Sequence, residues 1–385
     1  MKKFIKTFLL ISFIAVSLNY SSKNTVAKSR NSWPETFWIG MPKAYFTAKN
    51  KGILINAYAV RNQAFVGKIN RPNPQEIIKR ANEDKDFIIV VVSDKWHKFF
   101  GDRKNFVNEL KNTEHIKAYF QYIKGIITKL DTVPQAVINF EPDPFGSFSK
   151  IIRKEYSGDP NNVPVPLSKV NFPEIKELNP PDNFAGFWQV IDYMRNKYAP
   201  QIMIAPTIKE WGIPAKILKD KPENGWNKNA PQVIEMSNFY EKFGVNWDAL
   251  AFNINDQKRP DSEFKTIVEY FTSVAKAMKN KKTGKPVYSF IWKTMILKDH
   301  FTKPVEKWPV NELSFEFRNI DFLAAHGVRG MVVGYGNQLS GKYADKNTLP
   351  PMLECWLKEY FNGKKQNCSP HGTIGTIKVK KYGKN

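Results

Sequence analysis

The stretch AVINFEPD, residues 136–143, joins a short apolar run to an acidic Glu-Pro-Asp end. A run of this length that is rich in apolar and β-branched residues is typical of a buried strand. Six further runs of the same kind recur along the chain, at 52–59, 87–93, 201–206, 247–254, 286–292 and 328–334. The pattern predicts seven or eight strands.

Amphipathic stretches with helical periodicity separate these runs. They lie at 75–84, 103–130, 184–198, 231–243, 263–279 and 312–326, and a last helix is predicted at 351–361. Parallel strands need crossover connections and bury both faces, so the alternation predicts a parallel sheet covered by helices.

A doubly wound sheet would show the same alternation. A barrel is favoured because no Gly-rich phosphate loop follows the first strand, and because polar and aromatic residues follow one strand after another. The predicted fold class is α/β, a (β/α) barrel of TIM type with seven or eight parallel strands and room for distortion. Two long connections, 144–182 and 212–230, are expected to be loops that line or cover a site.

The chain begins with basic residues, an apolar run at 8–18 and a polar stretch that ends near Ala27. This order is typical of a secretory signal peptide, and the apolar run is shorter than the roughly 20 residues of a membrane span. The predicted organisation is a signal peptide at 1–27, a barrel domain at 28–363 and a basic tail at 364–385. The mature protein is expected to be secreted or periplasmic, without stable membrane insertion.

The net charge of +23 falls to about +19 without the four lysines of residues 1–27. Such a charge attracts anionic partners, although the excess of 49 Lys over 10 Arg is equally well explained by compositional bias. No pattern of Arg and aromatic residues indicates specific nucleic-acid binding. Cys355 and Cys368 are the only cysteines and are predicted to form a disulfide between the last helix and the tail.

Alternation along the strand at 136–140 places Val137, Asn139 and Glu141 on one face and Ile138 and Phe140 on the other. If the first face looks into the barrel, Glu141 stands at its mouth, and Asp143 is expected to point the same way. Two carboxyl groups can hydrolyse a glycosidic bond, one as general acid and the other as nucleophile or base. In the competing interpretation, Glu141 or Asp143 pairs with Lys293 or caps a loop.

Glu141 is the first catalytic candidate. Its candidate partners are Asp143, Asp94 and Asp256, and Glu210 is a further carboxylate near a strand end. Aromatic rings could stack on sugars and amides could orient sugar hydroxyls, although core packing would explain any single ring. The predicted substrate-binding residues are Trp96, Asn139, Glu210, Trp211, Asn253, Trp292, Lys293, Tyr335 and Asn337.

The stretch 137–144, in which Glu141-Pro142-Asp143 ends an apolar strand, resembles the Glu-Pro-Asp signature of glycoside hydrolase family 6. It is also similar to the Asn-Glu-Pro strand end of the retaining β-glycosidase clan. Both resemblances imply a barrel glycosidase with carboxylate catalysis. The chain departs from that clan in having no acid along 287–294, and from family 6 in reading Ser93-Asp94-Lys95 after an early strand.

The leading hypothesis is a secreted glycoside hydrolase that acts on a neutral or anionic poly- or oligosaccharide without a cofactor. The histidines show no metal-ligand spacing, so no metal site is predicted. One alternative is a barrel that binds glycans or the cell envelope without turnover. Another is a phosphodiester hydrolase, with Lys95, Lys209 and Lys293 as charge stabilisers.

Overall fold

Eight parallel strands form a closed barrel in which each strand pairs with the next and the last pairs with the first. The strands are β1 Trp38–Met41, β2 Ala57–Arg61, β3 Ile88–Ser93, β4 Ala136–Phe140, β5 Met203–Lys209, β6 Ala249–Asn253, β7 Tyr288–Ile296 and β8 Val328–Tyr335. The predicted (β/α) barrel of TIM type is confirmed, with eight strands.

The structure is a computed structural model that describes residues 34–41, 55–61, 74–84, 86–93, 95–101, 105–140, 142–209, 222, 225–253, 261–296, 319–335 and 351–363. All of them belong to one unit, 33–385. The signal peptide and the basic tail lie outside these ranges and stay predictions. No helix within the described ranges has the length and apolar character of a membrane span.

Helices follow the strands and pack around the barrel. Those within the described residues are α1 Pro74–Glu83, α2 Trp96–Phe100, α3 Phe106–Glu109, α4 Thr113–Lys129, α5 Pro142–Glu155, α6 Pro173–Leu178, α7 Phe184–Tyr198, α8 Pro231–Glu241, α9 Asp261–Ala277, α10 Ile320–Ala325 and α11 Pro351–Asn362. The single helix predicted at 103–130 is two helices. Asn112 separates them, because its side chain accepts hydrogen bonds from the backbone N–H groups of Glu114 and His115 and so begins α4.

The strands have two buried faces. On β4, Val137 belongs to the inner core, which lies inside the barrel, whereas Ile138 and Phe140 belong to the outer core, which lies between the strands and the helices. The inner core consists of Trp38, Ala57, Ala59, Ile88, Val90, Val137, Met203, Ala205, Ala249, Ala251, Phe290 and Val332. Alanines on β2, β5 and β6 leave room for the rings of Trp38 and Phe290, whose centroids lie 5.5 Å apart.

Glycine closes the barrel where β8 meets β1. Gly330 is in register with Trp38, and a Cβ added at Gly330 would lie 2.1 Å from Cδ2 of Trp38 and 2.4 Å from its carbonyl oxygen. Only a residue without a side chain allows the two strands to approach this closely around the indole.

The connection predicted as a loop at 144–182 is largely helical, so that prediction is wrong. It contains α5, two short 3₁₀ turns at Pro160–Asn162 and Leu167–Lys169, and α6. Phe145, Phe148 and Ile152 follow helical spacing on α5 and are fully buried in the outer core. The segment therefore packs around the barrel. Of the second predicted loop, 212–230, most lies outside the described residues.

Candidate active site at the carboxyl ends of the strands

Four neighbouring strands carry polar or aromatic side chains above the apolar inner core. Alternation from Val137, Ala205, Ala251 and Phe290 places the next inward positions above this core, toward the carboxyl ends of β4 to β7. These positions are Asn139, Thr207, Lys209, Asn253 and Trp292. In a (β/α) barrel this end is where ligands and reacting groups meet, so these five residues, called the mouth set below, define the candidate active site.

Asn139 and Thr207 join β4 to β5 inside the barrel. The Thr207 hydroxyl donates a hydrogen bond of 2.6 Å to Oδ1 of Asn139, and both residues are fully buried. Nδ2 of Asn139 has no hydrogen-bond partner within the described part of the chain. A buried donor without an acceptor costs about 1–3 kcal/mol, so this amide is held in an unfavourable state at the site itself.

The Thr207 backbone is held from the opposite side of the strand. The phenol of Tyr240, on α8, donates a hydrogen bond of 3.3 Å to the Thr207 carbonyl. Burial raises the pKa of Tyr240 well above its ordinary value, so the phenol stays protonated and remains a donor. Thr207 is thus fixed both by the ladder of β5 and by the outer core.

Lys209 and Asn253 end the neighbouring strands β5 and β6 in register with each other. Each residue is 8% exposed, which places a positive charge and an amide side by side just below the rim. An ammonium group at this depth favours anionic groups nearby, whether they belong to the protein or to a ligand. Asn253 was predicted as a substrate-binding residue and Lys209 only as a charge stabiliser of the phosphodiester alternative, whereas Thr207 was not among the predicted site residues.

Trp292 is half-buried against the inner core, on the strand with the least regular pairing. The register between β7 and β8 shifts between Ile291 and Thr294, so that Trp292 and Lys293 together stand opposite Val332. A bulge of this kind re-aims side chains and is frequent beside active sites. Trp292 is the fifth of the nine residues of β7, two positions beyond the inward-facing Phe290, and is the aromatic member of the mouth set.

Trp96 does not belong to the site, contrary to the prediction. It is the first residue of α2 and is fully buried in the outer core, with ring centroids 4.3 Å from Phe100 and 4.6 Å from Phe148. The chain turns into a helix directly after β3 and carries the indole away from the barrel interior. Its ring has no face available for a sugar.

The remaining predicted residues fall into two groups. Glu141, Asp94, Asp256, Glu210, Trp211 and Asn337 lie outside the described residues, whereas Asp143, Lys293 and Tyr335 lie in described elements without described side chains. Asp143 is in the first turn of α5, so the strand alternation that aligned it with Glu141 does not reach it. The catalytic roles of these residues stay predictions.

Cys355 lies on α11, and the described part of the chain contains no free thiol. Its predicted partner Cys368 lies outside the described residues, so the disulfide stays a prediction. Within the described ranges, no group of three or more His, Cys, Asp or Glu side chains could hold a metal ion.

No protein-family model and no curated protein sequence matches the chain. Among solved structures, it is similar to xylanase XynB from Paenibacillus barcinonensis, with 10% identity, a TM-score of 0.40 and coverage of 82% of this chain and 90% of the xylanase. An endo-1,4-beta-xylanase from Caldicellulosiruptor owensensis has 11% identity, a TM-score of 0.40 and coverage of 78% and 85%. For a family 10 xylanase from Thermobacillus composti the values are 10%, 0.39, 80% and 88%.

These likenesses carry no argument about activity. The fold assignment rests on the strand order of this chain, and the resemblance to family 6 stays a prediction.

Proposed function

We propose that this protein is a glycoside hydrolase that acts on a poly- or oligosaccharide, with Glu141 as general acid/base. The mouth set carries the proposal, because it combines a half-buried indole with two amides above the inner core, toward the carboxyl ends of adjacent strands. Indole faces pack on the apolar faces of sugar rings, while amides donate to and accept from sugar hydroxyls. Glu141 follows Phe140 directly in the sequence, two residues after Asn139.

A second carboxylate completes the proposed chemistry. Asp143, Asp94 and Asp256 are the candidates, and each follows a strand in the sequence. A separation of about 5–5.5 Å from Glu141 would make the partner a nucleophile with retention, and about 6.5–9.5 Å would make it the base for water with inversion. Proton NMR shows which anomer is released first and so distinguishes retention from inversion.

The substrate is proposed to include anionic sugars. Lys209 supports this, since it places a positive charge among the mouth set, and the net charge of +23 acts in the same direction over longer range. We expect Lys209→Met to lower kcat/KM on a uronic acid-containing or sulfated polysaccharide more than on a neutral one. Equal losses on both would remove the anionic preference and leave the hydrolase proposal intact.

Reducing-sugar release from neutral, uronic acid-containing and sulfated polysaccharides tests the activity. Glu141→Gln is expected to lower kcat by at least about a hundredfold on any substrate that wild-type protein cleaves, because it removes general acid/base catalysis. Glu83→Gln, at an exposed position on α1, is the control and should retain full activity. Asp143→Asn, Asp94→Asn and Asp256→Asn then locate the partner by a comparable loss.

The same assay separates the alternatives. Wild-type protein that binds a polysaccharide in sedimentation assays but releases no sugar would overturn the hydrolase proposal in favour of a glycan- or envelope-binding barrel. Cleavage of phosphodiesters that a chelator abolishes would favour the phosphodiester hydrolase, because carboxylate catalysis at a glycosidic bond persists without metal. Secretion after cleavage near Ala27 is part of the proposal and is tested by N-terminal sequencing of the exported protein.

A further inference from the structure

The hydrogen bond between Thr207 and Asn139 leaves one donor of the barrel interior without an acceptor. Oδ1 of Asn139 accepts from the Thr207 hydroxyl at 2.6 Å, so Nδ2 is turned away from Thr207. Within the described part of the chain Nδ2 has no partner, although the residue is fully buried. Unsatisfied buried groups are rare in folded proteins and mark places where a ligand, a water or a reacting group completes the hydrogen bonding.

We infer that Thr207 is a positioning residue of the active site, whose hydroxyl fixes the Asn139 amide so that Nδ2 is held for an oxygen acceptor at the mouth. The inference rests on the proposed function and extends it to a residue that does not itself contact substrate. The acceptor is either a sugar oxygen or a carboxylate of the site, since both present lone pairs to an amide donor.

Thr207 suits this role because its own position is overdetermined. It lies in the fully buried strand β5, its carbonyl is held by Tyr240, and a β-branched side chain has few rotamers available. An Asn side chain alone can rotate by half a turn about its last bond and exchange its oxygen for its nitrogen. The fixed hydroxyl selects one of these two orientations, which is preorganisation of a donor before substrate binds.

Steady-state kinetics of three variants test the inference. Thr207→Val preserves the shape and removes the hydroxyl, whereas Thr207→Ser preserves the hydroxyl. Thr272→Val is the matched control, because Thr272 is also buried but donates to the Val268 carbonyl on α9, outside the barrel. We expect Thr207→Val to lower kcat at least about tenfold with KM changed less than about threefold, and the other two to stay within about threefold of wild type in both.

The pH profile of Thr207→Val identifies the acceptor. If Nδ2 donates to a site carboxylate, the acidic limb moves to higher pH, because losing a donor to the ionised form raises the carboxyl pKa. If Nδ2 donates to substrate, kcat falls without a shift. Wild-type kcat in Thr207→Val, or equal losses in Thr207→Val and Thr207→Ser, would overturn the inference.

A spectroscopic measurement keeps this test separate from the proposed function. Protein labelled with nitrogen-15 at asparagine shows the side-chain amide of Asn139, assigned by its disappearance in Asn139→Asp. Thr207→Val should move this signal, and Thr207→Ser and Thr272→Val should not. If wild-type protein hydrolyses none of the polysaccharides, the proposed function fails. If the Asn139 signal is unchanged in Thr207→Val, the positioning role of Thr207 is overturned, whatever the activity of the protein.

Discussion

Arg195 on α7 donates from Nη1 to Oδ2 of Asp248 at 3.0 Å, at the end of the barrel opposite the mouth set. Its Nη2 also bonds Oδ1 of Asp192 at 2.5 Å and the carbonyl of Asn246 at 3.1 Å. Asp248 directly precedes β6 and accepts a further hydrogen bond from the backbone N–H of Ile204 on β5. The network ties α7 to the amino ends of two strands. Side chains at this end of a (β/α) barrel contribute to stability rather than to catalysis.

Arg195→Met is expected to destabilise the protein by about 3–5 kcal/mol, because it leaves the buried Asp248 carboxylate and the partly buried Asp192 carboxylate without their cation. Burial lowers the pKa of Arg195, but the negative charges of Asp248 and Asp192 outweigh this effect and raise the pKa. The guanidinium is therefore charged at every accessible pH. Urea unfolding followed by tryptophan fluorescence measures the loss. The control is Lys197→Met on the same helix as Arg195, which breaks an exposed ion pair with Glu177 on α6. Similar unfolding midpoints for the two variants would contradict the prediction.

Gly330→Ala should destabilise the barrel by at least about 1–3 kcal/mol, because its Cβ would meet Trp38 at 2.1 Å. Gly125→Ala is the matched control, since a Cβ there meets nothing within 4 Å and the residue lies inside α4. That variant should gain about 0.5–1 kcal/mol from helix propensity. Thermal unfolding measures both effects. Unfolding temperatures that change in the same direction in both variants would refute the close approach of β8 to β1.

The ionisation of Glu174 should make the free energy of unfolding depend on pH in the acidic range. It is 1% exposed, and burial raises its carboxyl pKa, but hydrogen bonds from Lys124 at 2.7 Å and from Tyr198 outweigh burial and lower it. A lowered folded-state pKa contributes stability above the unfolded value of about 4.3 and loses it as pH falls through the folded value. Glu174→Gln should therefore be less stable than wild type at pH 7, with a difference that shrinks below about pH 4.

Urea unfolding at pH 7, 5, 4 and 3 measures this difference for Glu174→Gln. Glu83→Gln serves as the exposed control and should track wild type across the series. A difference between Glu174→Gln and wild type that stays constant from pH 7 to pH 3 would show that ionisation of Glu174 is not the cause.

The predicted disulfide between Cys355 and Cys368 should be detectable as two thiols that react only after reduction in denaturant. It would tie the tail to α11, which contacts the start of the barrel where Tyr360 donates to the Phe37 carbonyl at 2.7 Å. Closing a loop of this length contributes about 3 kcal/mol. Reduction should lower the unfolding midpoint of wild type but not of a variant with both cysteines changed to serine, and two reactive thiols in native protein would exclude the bond.

Local pattern was sufficient for the elements with the strongest signals. The strand at Ala136–Phe140 and the helix at Phe184–Tyr198 have the predicted bounds, the latter because Asn183 caps it by accepting from the Gly186 N–H. The four residues of β1, Trp38–Met41, were missed because a Trp-Ile-Gly-Met run has no strand signal of its own. They form a strand only by pairing with β2 and β8.

By itself, the sequence determined the alternating strands and helices, the barrel they imply and the side of β4 on which Asn139 lies, because these follow from periods of two and 3.6 residues. Tertiary structure alone decided that Thr207 bonds Asn139, 68 positions away, and that the contact with Trp38 leaves no room for a side chain at position 330. It also decided that Trp96 packs outward. Such contacts depend on strand register and barrel closure, which bring together residues that no local period relates.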